Sequence, residues 1–335
     1  MSSVAVASGG APKISVVVPT HDTRELTLAC LRAVEASRLA PPPEVVVIDD
    51  GSRDGTGPAV AERFPAAEIV RFDQAVGFTR AANRGVEAAR GEIVVLLNSD
   101  TEVAPDALAR LDGALDRDSR LGAAGAQLLH ADGTAQWSAG CEPTFAWLVL
   151  LASGIAARST RAWWRPVLGR RPGSALREGG PIAVDWVPGA ALAIRRQAWN
   201  EVGVLDERFA LYAQDLDFCV RLRRAGWGVA LVPEARVIHH LGATIGARDG
   251  ATSERVDPAL LWTDLIRWVG KAHGVAHARR ARLALLAGVR LRSMLARRTG
   301  PRTPEQDRDA QAFALATAAL RALDPAMLMR RSQGT

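Results

Sequence analysis

The chain has little lysine, cysteine or tyrosine. Of its 335 residues only Lys13 and Lys271 are lysines, three are cysteines and one is a tyrosine. The cysteines are odd in number and widely spaced, which fits neither a disulfide framework nor a zinc site. No apolar run reaches the roughly 20 residues that a membrane span requires, and residues 1–12 have the composition of a disordered lead-in without the features of a signal peptide. These absences favour a globular protein of the reducing cytoplasm.

Positive charge comes almost wholly from arginine and is concentrated near the C-terminus. The formal net charge is +6, yet nine basic residues and no acidic residue lie between Lys271 and Arg302, so the rest of the chain is net negative. This distribution predicts a basic extension, residues 246–335, in peripheral contact with an anionic membrane at the inner face of the plasma membrane. A nucleic-acid partner is not expected despite the pI of about 10.1, because no recognition motif accompanies the charge.

Short β-branched runs alternate with helical patterns over the first hundred residues. Residues 14–18, 44–48, 68–72 and 93–97 are typical of strands buried on both faces of a parallel sheet. The intervening segments have apolar residues at helical spacing, with Thr23 and Thr79 as expected N-caps. This order of elements predicts a doubly wound α/β domain, in which ligands bind beyond the carboxyl ends of the strands.

Three of the predicted strands end in small polar clusters. The first ends in "THD" with Thr20, the second in "DDGS" with Asp49 and Asp50, and the fourth in "NSD", residues 98–100. Each cluster alone has an ordinary alternative as a turn or a helix cap. Three clusters at one edge of a sheet predict a shared binding crevice.

The second half contains further candidates. Residues 140–180 form an aromatic and basic insertion with Trp163 and Trp164, which is either a core helix followed by a surface loop or a contact with an acceptor or a membrane. Asp215 is expected in the first turn of a helix, where a carboxylate is stabilised by the helix dipole and can also serve as a cap. The run "GVALVPEARVIHH" predicts a strand that carries His239 and His240 at its end.

These residue types suit group transfer from a diphosphate. Mg²⁺ and Mn²⁺ need few protein oxygens when substrate phosphates complete the coordination, and Asp100 is the candidate ligand. Such an ion would assist departure of a nucleoside diphosphate. Asp215 is the candidate general base for an acceptor hydroxyl, with Asp217 as a less favoured alternative. The spacing alone does not separate a nucleotide-using transferase from other enzymes.

The ordered set of motifs resembles glycosyltransferase family 2, the inverting enzymes of the GT-A fold. The motifs are "ISVVVPTHD", "VVVIDDGSRDGT", "GFTRAANRGVEAARGEIVVLLNSDTEV", "WVPGAALAIRRQAW", "FALYAQDLDFCVRLRRAGW" and "VIHHLGAT". The likeness is greatest to bacterial rhamnosyltransferase-type enzymes of surface polysaccharide synthesis. It implies a single Rossmann-like mixed sheet flanked by helices over residues 13–245, with a nucleotide-sugar half at 13–125, an acceptor and catalytic-base half at 180–245, and a C-terminal helical extension.

The resemblance also implies residue roles. Thr20 would line the nucleotide pocket, Asp50 would hydrogen-bond the base with support from Asp49, and Asn83 would lie near the sugar-nucleotide or else stabilise its helix. Asn98, Ser99 and Asp100 would form this chain's version of an Asp-X-Asp motif, with Asp100 on the metal. His239, in a pattern that ends at Thr244, would reach the diphosphate or the metal or else be a structural histidine.

Two positions depart from the family pattern. Asn98 is neutral where the motif has its first aspartate, and Gln214 replaces the usual glutamate before the base. The first change weakens metal binding, and the second alters the local charge that tunes Asp215. The chain is therefore expected to be a metal-dependent inverting glycosyltransferase that uses a nucleotide-diphosphate sugar and a saccharide acceptor, for which a polyprenyl-diphosphate-linked saccharide is the candidate. The alternative is a non-catalytic sugar-nucleotide-binding or scaffold subunit of a glycan assembly complex.

Overall fold

The computed structural model describes residues 12–155, 179–209, 211–240, 257–296 and 304–330. Within these residues, nine strands form one mixed sheet of order β3-β2-β1-β4-β8-β6-β9-β5, with β7 also paired to β9. The strands are β1 Ile14–Thr20, β2 Glu44–Asp49, β3 Glu68–Arg71, β4 Ile93–Leu97, β5 Thr101–Val103, β6 Leu121–Leu129, β7 Ile182–Ala183, β8 Ala191–Arg195 and β9 Gly228–His239.

Eleven helices surround the sheet or follow it in the described ranges. They are α1 Arg24–Glu35, α2 Thr56–Arg63, α3 Phe78–Ala88, α4 Ala107–Arg117, α5 Phe145–Ser153, α6 Arg196–Val202, α7 Gln214–Arg224, α8 Pro258–His273, α9 Val275–Ala296, α10 Pro304–Ala322 and α11 Pro325–Arg330.

The first half of the sheet is the parallel unit that the sequence predicts. β2 and β4 both pair with β1 in parallel, and β3 continues the sheet beyond β2. All residues of β1 and β4 are buried, because helices cover both faces. The expected strands at 14–18, 44–48, 68–72 and 93–97 are thus confirmed.

Neither of the two threonines expected as N-caps forms a capping hydrogen bond. Thr23 occupies the N-cap position of α1, but its side chain caps no backbone N–H group. Thr79 is not an N-cap, because α3 begins at Phe78 after Gly77. The Thr79 hydroxyl instead donates to the Phe209 carbonyl at 3.1 Å, and this tertiary hydrogen bond replaces the local one.

In the second half of the sheet, strand direction changes. β8 lies antiparallel between β4 and β6, whereas β9 runs parallel to β6 and antiparallel to β5. The end of β4 therefore meets the start of β8, where Asn98 N donates to Ala190 O at 3.0 Å. The end of β9 likewise meets the start of β5, since His239 is paired with Thr101. Residues distant in sequence thus converge at one edge of the sheet.

The predicted C-terminal extension is helical and packs on the sheet domain. α9 lies against α5 so closely that a Cβ at Gly288 would fall 2.4 Å from the Val149 carbonyl oxygen. Trp262, Trp268 and Leu285 of the extension are buried in the same apolar core as residues of β4 and β8. In the ranges described here, no helix is both long enough and apolar enough to cross a membrane. Trp163, Trp164, Thr244 and residues 1–11 lie outside the described residues.

Candidate active site

A cleft of about 500 Å³ opens at the carboxyl ends of β1 and β2. Its walls are formed by His21, Asp22, Gly51, Arg53 and residues 73–75. Gly51 has a φ of +71°, and a Cβ there would lie 2.8 Å from the Ala75 backbone nitrogen. Glycine is required at this turn for both reasons, since side chains rarely adopt that φ and the opposite wall approaches so closely.

Asp50 holds one wall of this cleft in place. Its Oδ1 accepts a hydrogen bond from Val76 N at 2.6 Å, and its Oδ2 accepts one from Gly77 N at 3.0 Å. The neighbouring Asp49 is fully buried, accepts from Ser52 N at 2.8 Å and lies 3.1 Å from an Arg71 guanidinium nitrogen. The two carboxylates therefore shape the loops around the cleft. A contact from Asp50 to a nucleotide base stays a prediction.

Thr20 belongs to a chain of buried hydroxyl groups. Its Oγ1 shares hydrogen bonds with Thr23 at 2.9 Å and Thr27 at 2.6 Å. Thr23 in turn shares one with Ser99 at 3.0 Å. The ends of β1 and β4 are joined through this chain, although the Thr20 hydroxyl is committed to it and does not line the cleft described above.

Asn83 ties α3 to the segment that precedes α7. Its Nδ2 donates to Leu205 O at 2.9 Å, and its Oδ1 accepts from Leu205 N at 2.9 Å. A second donation reaches Glu207 Oε1 at 3.2 Å. These bonds give Asn83 a structural role between elements, which differs from stabilisation of its own helix.

The "NSD" motif meets His239 at the end of β4. Asp100 and His239 are 3% and 6% exposed, and Asp100 Oδ1 lies 3.5 Å from His239 Nε2. His240 N donates to Asp100 O at 2.9 Å, which fixes the two backbones side by side. Asn98 Oδ1 is buried and accepts no hydrogen bond from the described residues. The structure thus brings Asp100 and His239 together, as a shared contact with a cation would require.

Asp215 lies in the first turn of α7 with both carboxylate oxygens held by backbone amides. Gly189 N donates to Oδ2 at 2.9 Å, and Leu216 N donates to Oδ1 at 2.8 Å. Burial raises the pKa of Asp215 above its ordinary value, and the two N–H groups only partly oppose that effect. A carboxyl group with a raised pKa binds a proton more readily, as a general base near neutral pH must.

The turn at Pro188–Gly189 connects the base candidate to the "NSD" motif. Gly189 holds Asp215, and the next residue, Ala190, accepts from Asn98 N. Just before α7, Ala213 has a φ of +64°, in the left-handed region that few non-glycine residues adopt. Gln214 is buried, and its Oε1 accepts no hydrogen bond within the described part of the chain. Asp215 and Asn98 are therefore linked through the consecutive residues Gly189 and Ala190.

The alternative base, Asp217, is committed to ion pairs. Its carboxylate is buried and accepts from Arg221 at 2.8 Å and from Lys271 at 2.8 Å. Lys271 also donates to Asp206 at 2.7 Å. Burial alone would raise the pKa of Asp206, but hydrogen bonds from Arg208 and Lys271 outweigh it and hold the pKa well below its usual range. This cluster binds α8 to α7, so Asp217 is structural.

The donor set is compatible with a divalent cation that also contacts substrate phosphates. No group of three or more His, Cys, Asp or Glu side chains converges within the described ranges. Asp100 and His239 supply one oxygen and one nitrogen, close enough to contact a single ion. Mg²⁺ commonly uses one or two carboxylates together with phosphates, and Mn²⁺ shares this preference for oxygen while also accepting an imidazole nitrogen as a further ligand. The residues therefore fit a site that the diphosphate completes.

Sequence reasoning missed three residues of this region. Gln136 Nε2 donates to His239 O, and its Oε1 lies 3.1 Å from His239 Nδ1. Gly189 N donates to Asp215, and Lys271 donates to Asp217. The Asp132-Gly133 turn signal could have shown that a hairpin follows β6. Nothing in the pattern of residues indicates which strand end Gln136 would face.

Comparisons with known proteins find related glycosyltransferases. The model of glycosyl transferase family 2 matches residues 15–168, and that of glycosyl transferase family group 2 matches residues 93–296. The N-acetylglucosaminyl-diphospho-decaprenol L-rhamnosyltransferase of Mycobacterium tuberculosis is 31% identical over 223 residues, covering 63% of this chain and 70% of that protein. The O-antigen biosynthesis protein RfbC of Myxococcus xanthus is 28% identical, over 70% of this chain and 18% of its own length.

Solved structures show the same fold at low sequence identity. The mannosyltransferase PcManGT of Pyrobaculum calidifontis, solved with GDP-Man and Mn²⁺, has a TM-score of 0.54 and 19% identity, and covers 97% of this chain and 89% of its own. S. aureus TarS 1-349 with UDP has a TM-score of 0.52 and 14% identity, and covers 95% and 89%. The mixed sheet with flanking helices is the GT-A fold of these glycosyltransferases. By its family models, its relatives and its fold, the chain belongs to glycosyl transferase family 2.

Proposed function

We propose that this glycosyltransferase transfers a sugar with inversion from a nucleotide-diphosphate sugar to a saccharide acceptor, and that Asp215 is its general base. The observation that carries the proposal is the environment of the Asp215 carboxyl group. Its carboxyl group has a raised pKa and is held by Leu216 N and by Gly189 N, next to the Ala190 carbonyl that accepts from Asn98 N. Among the described residues no basic side chain forms an ion pair with it, in contrast to Asp217.

The proposed reaction is a single displacement. Asp215 takes the proton of the acceptor hydroxyl as that oxygen forms a bond to the anomeric carbon. The bond from this carbon to the diphosphate oxygen breaks, and the nucleoside diphosphate leaves with the electron pair. Attack opposite the leaving group inverts the anomeric centre. The backbone donors on Asp215 keep its two oxygens in place before and after proton transfer.

Asp100 and His239 are the proposed ligands of a divalent cation, Mg²⁺ or Mn²⁺. When bound, the cation would neutralise charge that develops on the departing diphosphate. Asn98 contributes no charge, so Asp100 is the anionic member of the motif. The buried oxygens of Asn98 and Gln214 accept no described hydrogen bond, and both are proposed to accept bonds from substrate hydroxyl groups. Thr20, Asp49, Asp50, Asn83 and Ser99 are proposed to shape the donor site, with the cleft beside Asp50 taking the nucleotide.

The identity of the substrates is proposed from relatives. The Mycobacterium tuberculosis protein is named for transfer of L-rhamnose to an N-acetylglucosaminyl-diphospho-decaprenol. A rhamnose donor and a polyprenyl-diphosphate-linked saccharide acceptor are therefore the leading candidates here, with a role in cell-surface polysaccharide synthesis.

Release of nucleoside diphosphate from a panel of sugar nucleotides tests the proposal. Wild type and Asp215→Asn are compared with Mn²⁺, with Mg²⁺ and with chelator, in the presence of lipid-linked acceptors. Cation-dependent release from one donor, lost in Asp215→Asn, is expected. Equal release by both proteins would remove Asp215 as the base. Donor-induced thermal stabilisation with no transfer to any acceptor would favour the scaffold subunit.

Peripheral contact with an anionic membrane is a further part of the proposal. One face of α9 exposes Arg279, Arg280 and Arg290 together with Leu283 and Met294, which are 61% and 64% exposed. Basic residues near an anionic surface contribute about 1 kcal/mol each, and exposed apolar side chains can enter the headgroup region. The face thus has the chemistry that would bring the enzyme to a lipid-linked acceptor.

Sedimentation with anionic liposomes tests this contact. Replacement of Arg279, Arg280 and Arg290 by glutamine should lower binding at low salt. The exposed arginines Arg32, Arg63 and Arg117 of α1, α2 and α4 provide a charge-matched control triple. Equal losses for both triples would show that net charge, and not this face, controls the interaction.

A further inference from the structure

Gln136 lies in the hairpin after β6 and is 5% exposed. Its Nε2 donates to His239 O at 2.6 Å and to Leu129 O at 3.2 Å, and also lies 3.2 Å from His130 Nδ1. Its Oε1 lies 3.1 Å from His239 Nδ1. One amide side chain therefore contacts both the backbone and the ring of a proposed cation ligand.

The carbonyl partners determine which way this amide faces. Carbonyl oxygens only accept hydrogen bonds, so the NH₂ group of Gln136 must be directed at His239 O and Leu129 O. The opposite atom is then Oε1, which is also only an acceptor. His239 Nδ1 must consequently carry the hydrogen of that bond. A neutral imidazole has one N–H, so the lone pair lies on Nε2.

The bare nitrogen is the one that faces Asp100. His239 Nε2 is 3.5 Å from Asp100 Oδ1. The pairing of Thr101 with His239 and the bond from His240 N to Asp100 O hold the two backbones in register. Ring orientation and tautomer are then the remaining variables, and Gln136 contacts the ring at Nδ1.

We propose that Gln136 is a positioning residue that holds His239 with Nδ1 protonated, so that Nε2 presents its lone pair beside the Asp100 carboxylate for a divalent cation. The proposal rests on the function proposed above, in which these two residues hold the cation. A partner that orients a ligating histidine through its other nitrogen changes metal affinity by about 10–100-fold when it is removed.

The test uses the full-length protein without substrates and three variants. Gln136→Met removes the amide, whereas Gln136→Glu keeps an acceptor for Nδ1–H. Gln127→Met is the matched control. Gln127 is also fully buried, and its Nε2 supports the same hairpin through Leu128 O, Gln136 O and Ser138 Oγ at 2.9, 3.2 and 2.8 Å without reaching the His239 ring.

Two quantities are measured for each protein. Nitrogen-15 NMR of labelled histidine reports the tautomer at a pH well above the ordinary histidine pKa of about 6.5. The His239 signals among the six histidines are identified by their loss in His239→Gln. Electron paramagnetic resonance of added Mn²⁺ reports the affinity for the metal alone.

In the wild type we expect Nδ1 protonated and Nε2 bare. Gln136→Met should populate the other tautomer and weaken Mn²⁺ binding about 10–100-fold, while Gln136→Glu keeps the tautomer and Gln127→Met matches the wild type in both measurements. An Nε2–H tautomer in the wild type, or no change in Gln136→Met, would overturn the role of Gln136. Failure of the wild type to bind Mn²⁺ both alone and with added nucleoside diphosphates would overturn the cation site itself, and the tautomer measurement would still decide what Gln136 does to the ring.

Discussion

Each half of the sheet has a carboxylate met by a positive charge and one met by backbone amides alone, at the end of β2 in the first half and on α7 in the second. In the first half, Asp49 pairs with Arg71, and Asp50 accepts from the backbone of a loop at the open cleft. In the second half, Asp206 and Asp217 share Lys271, and Asp215 has only backbone donors. Carboxylates met by a full positive charge hold elements together. Asp215 has no charged partner among the described residues and a raised pKa, so it keeps the capacity to take up a proton, which distinguishes it from Asp206 and Asp217.

The largest expected effect concerns two aspartates on one helix. Asp215→Asn should lower transferase kcat by about 10²–10⁴-fold, the range for loss of a general base. Asp217→Asn should change kcat by less than about tenfold, because Asp217 acts through folding. Steady-state kinetics on both variants, with circular dichroism to confirm folding, separates the roles. Comparable kcat values for the two variants would break the distinction between these carboxylates.

In the first half, the expected effect is on donor binding. Asp50→Ala releases the amides of Val76 and Gly77 from the cleft wall. Hydrogen bonds to charged groups contribute about 1.5–3 kcal/mol, so the donor KM should rise about 10–100-fold with a smaller change in kcat. Asp54→Ala is the control, since Asp54 also accepts backbone N–H groups, from Arg24 and Thr56, but none from this loop. A donor KM that rises equally in both variants would mean that the loop is not the cause.

The parallel half of the sheet could be predicted from sequence because each of its strands has a signal within its own few residues. Each β-branched run is long enough and apolar enough to be a buried strand, and each is followed by turn residues. The antiparallel insertion of β8 between β4 and β6 has no such local signal. Its position depends on pairing between Leu97 and Ala191, which are 94 positions apart in the sequence, and short apolar strands do not encode their partners.

The residues of the candidate site also divide into those that could be predicted from sequence and those that could not. Residues 98–100, Asp215 and His239 could be named because they end or begin regular elements and belong to motifs. The hydrogen bonds of Thr20 and Asn83 could not be predicted, because their partners come from other parts of the chain. Thr20 is linked to Ser99 through Thr23, and Asn83 bonds the Leu205 backbone. Gln136 and Lys271 stand outside the motifs, and only the tertiary structure brings them to His239 and Asp217.

The two lysines of the chain provide a matched pair for the stability of each half. Lys13 bridges Asp112 and Asp116 at 2.8 and 2.6 Å, with its side chain 40% exposed. Lys271 bridges Asp206 and Asp217 and is 26% exposed. Lys271→Met should lower the free energy of unfolding by about 1–2 kcal/mol, a figure reduced from that of a fully buried pair for partial exposure. Lys13→Met should cost less than about 0.5 kcal/mol, and urea denaturation measures both. Equal losses would contradict the assigned role of the Lys271 cluster.

The smallest effect is a pH dependence of opposite sign for two aspartates of the second half. Burial raises the pKa of Asp215, so its proton stabilises the folded state below the unfolded-state pKa of about 3.9, and that contribution is lost as pH rises through the folded-state pKa. Asp215→Asn should therefore gain stability over the wild type as pH increases from about 4.5 to about 7, as measured by urea denaturation at each pH. The pKa of Asp206 is lowered, so its contribution is present above the unfolded-state pKa and is lost as pH falls through the folded-state pKa. Asp206→Asn should then be less stable than the wild type at neutral pH, and the deficit should shrink toward acid. If both variants lose stability in parallel at every pH, Asp215 is a compensated structural carboxylate like its neighbours, and the case for it as the base fails.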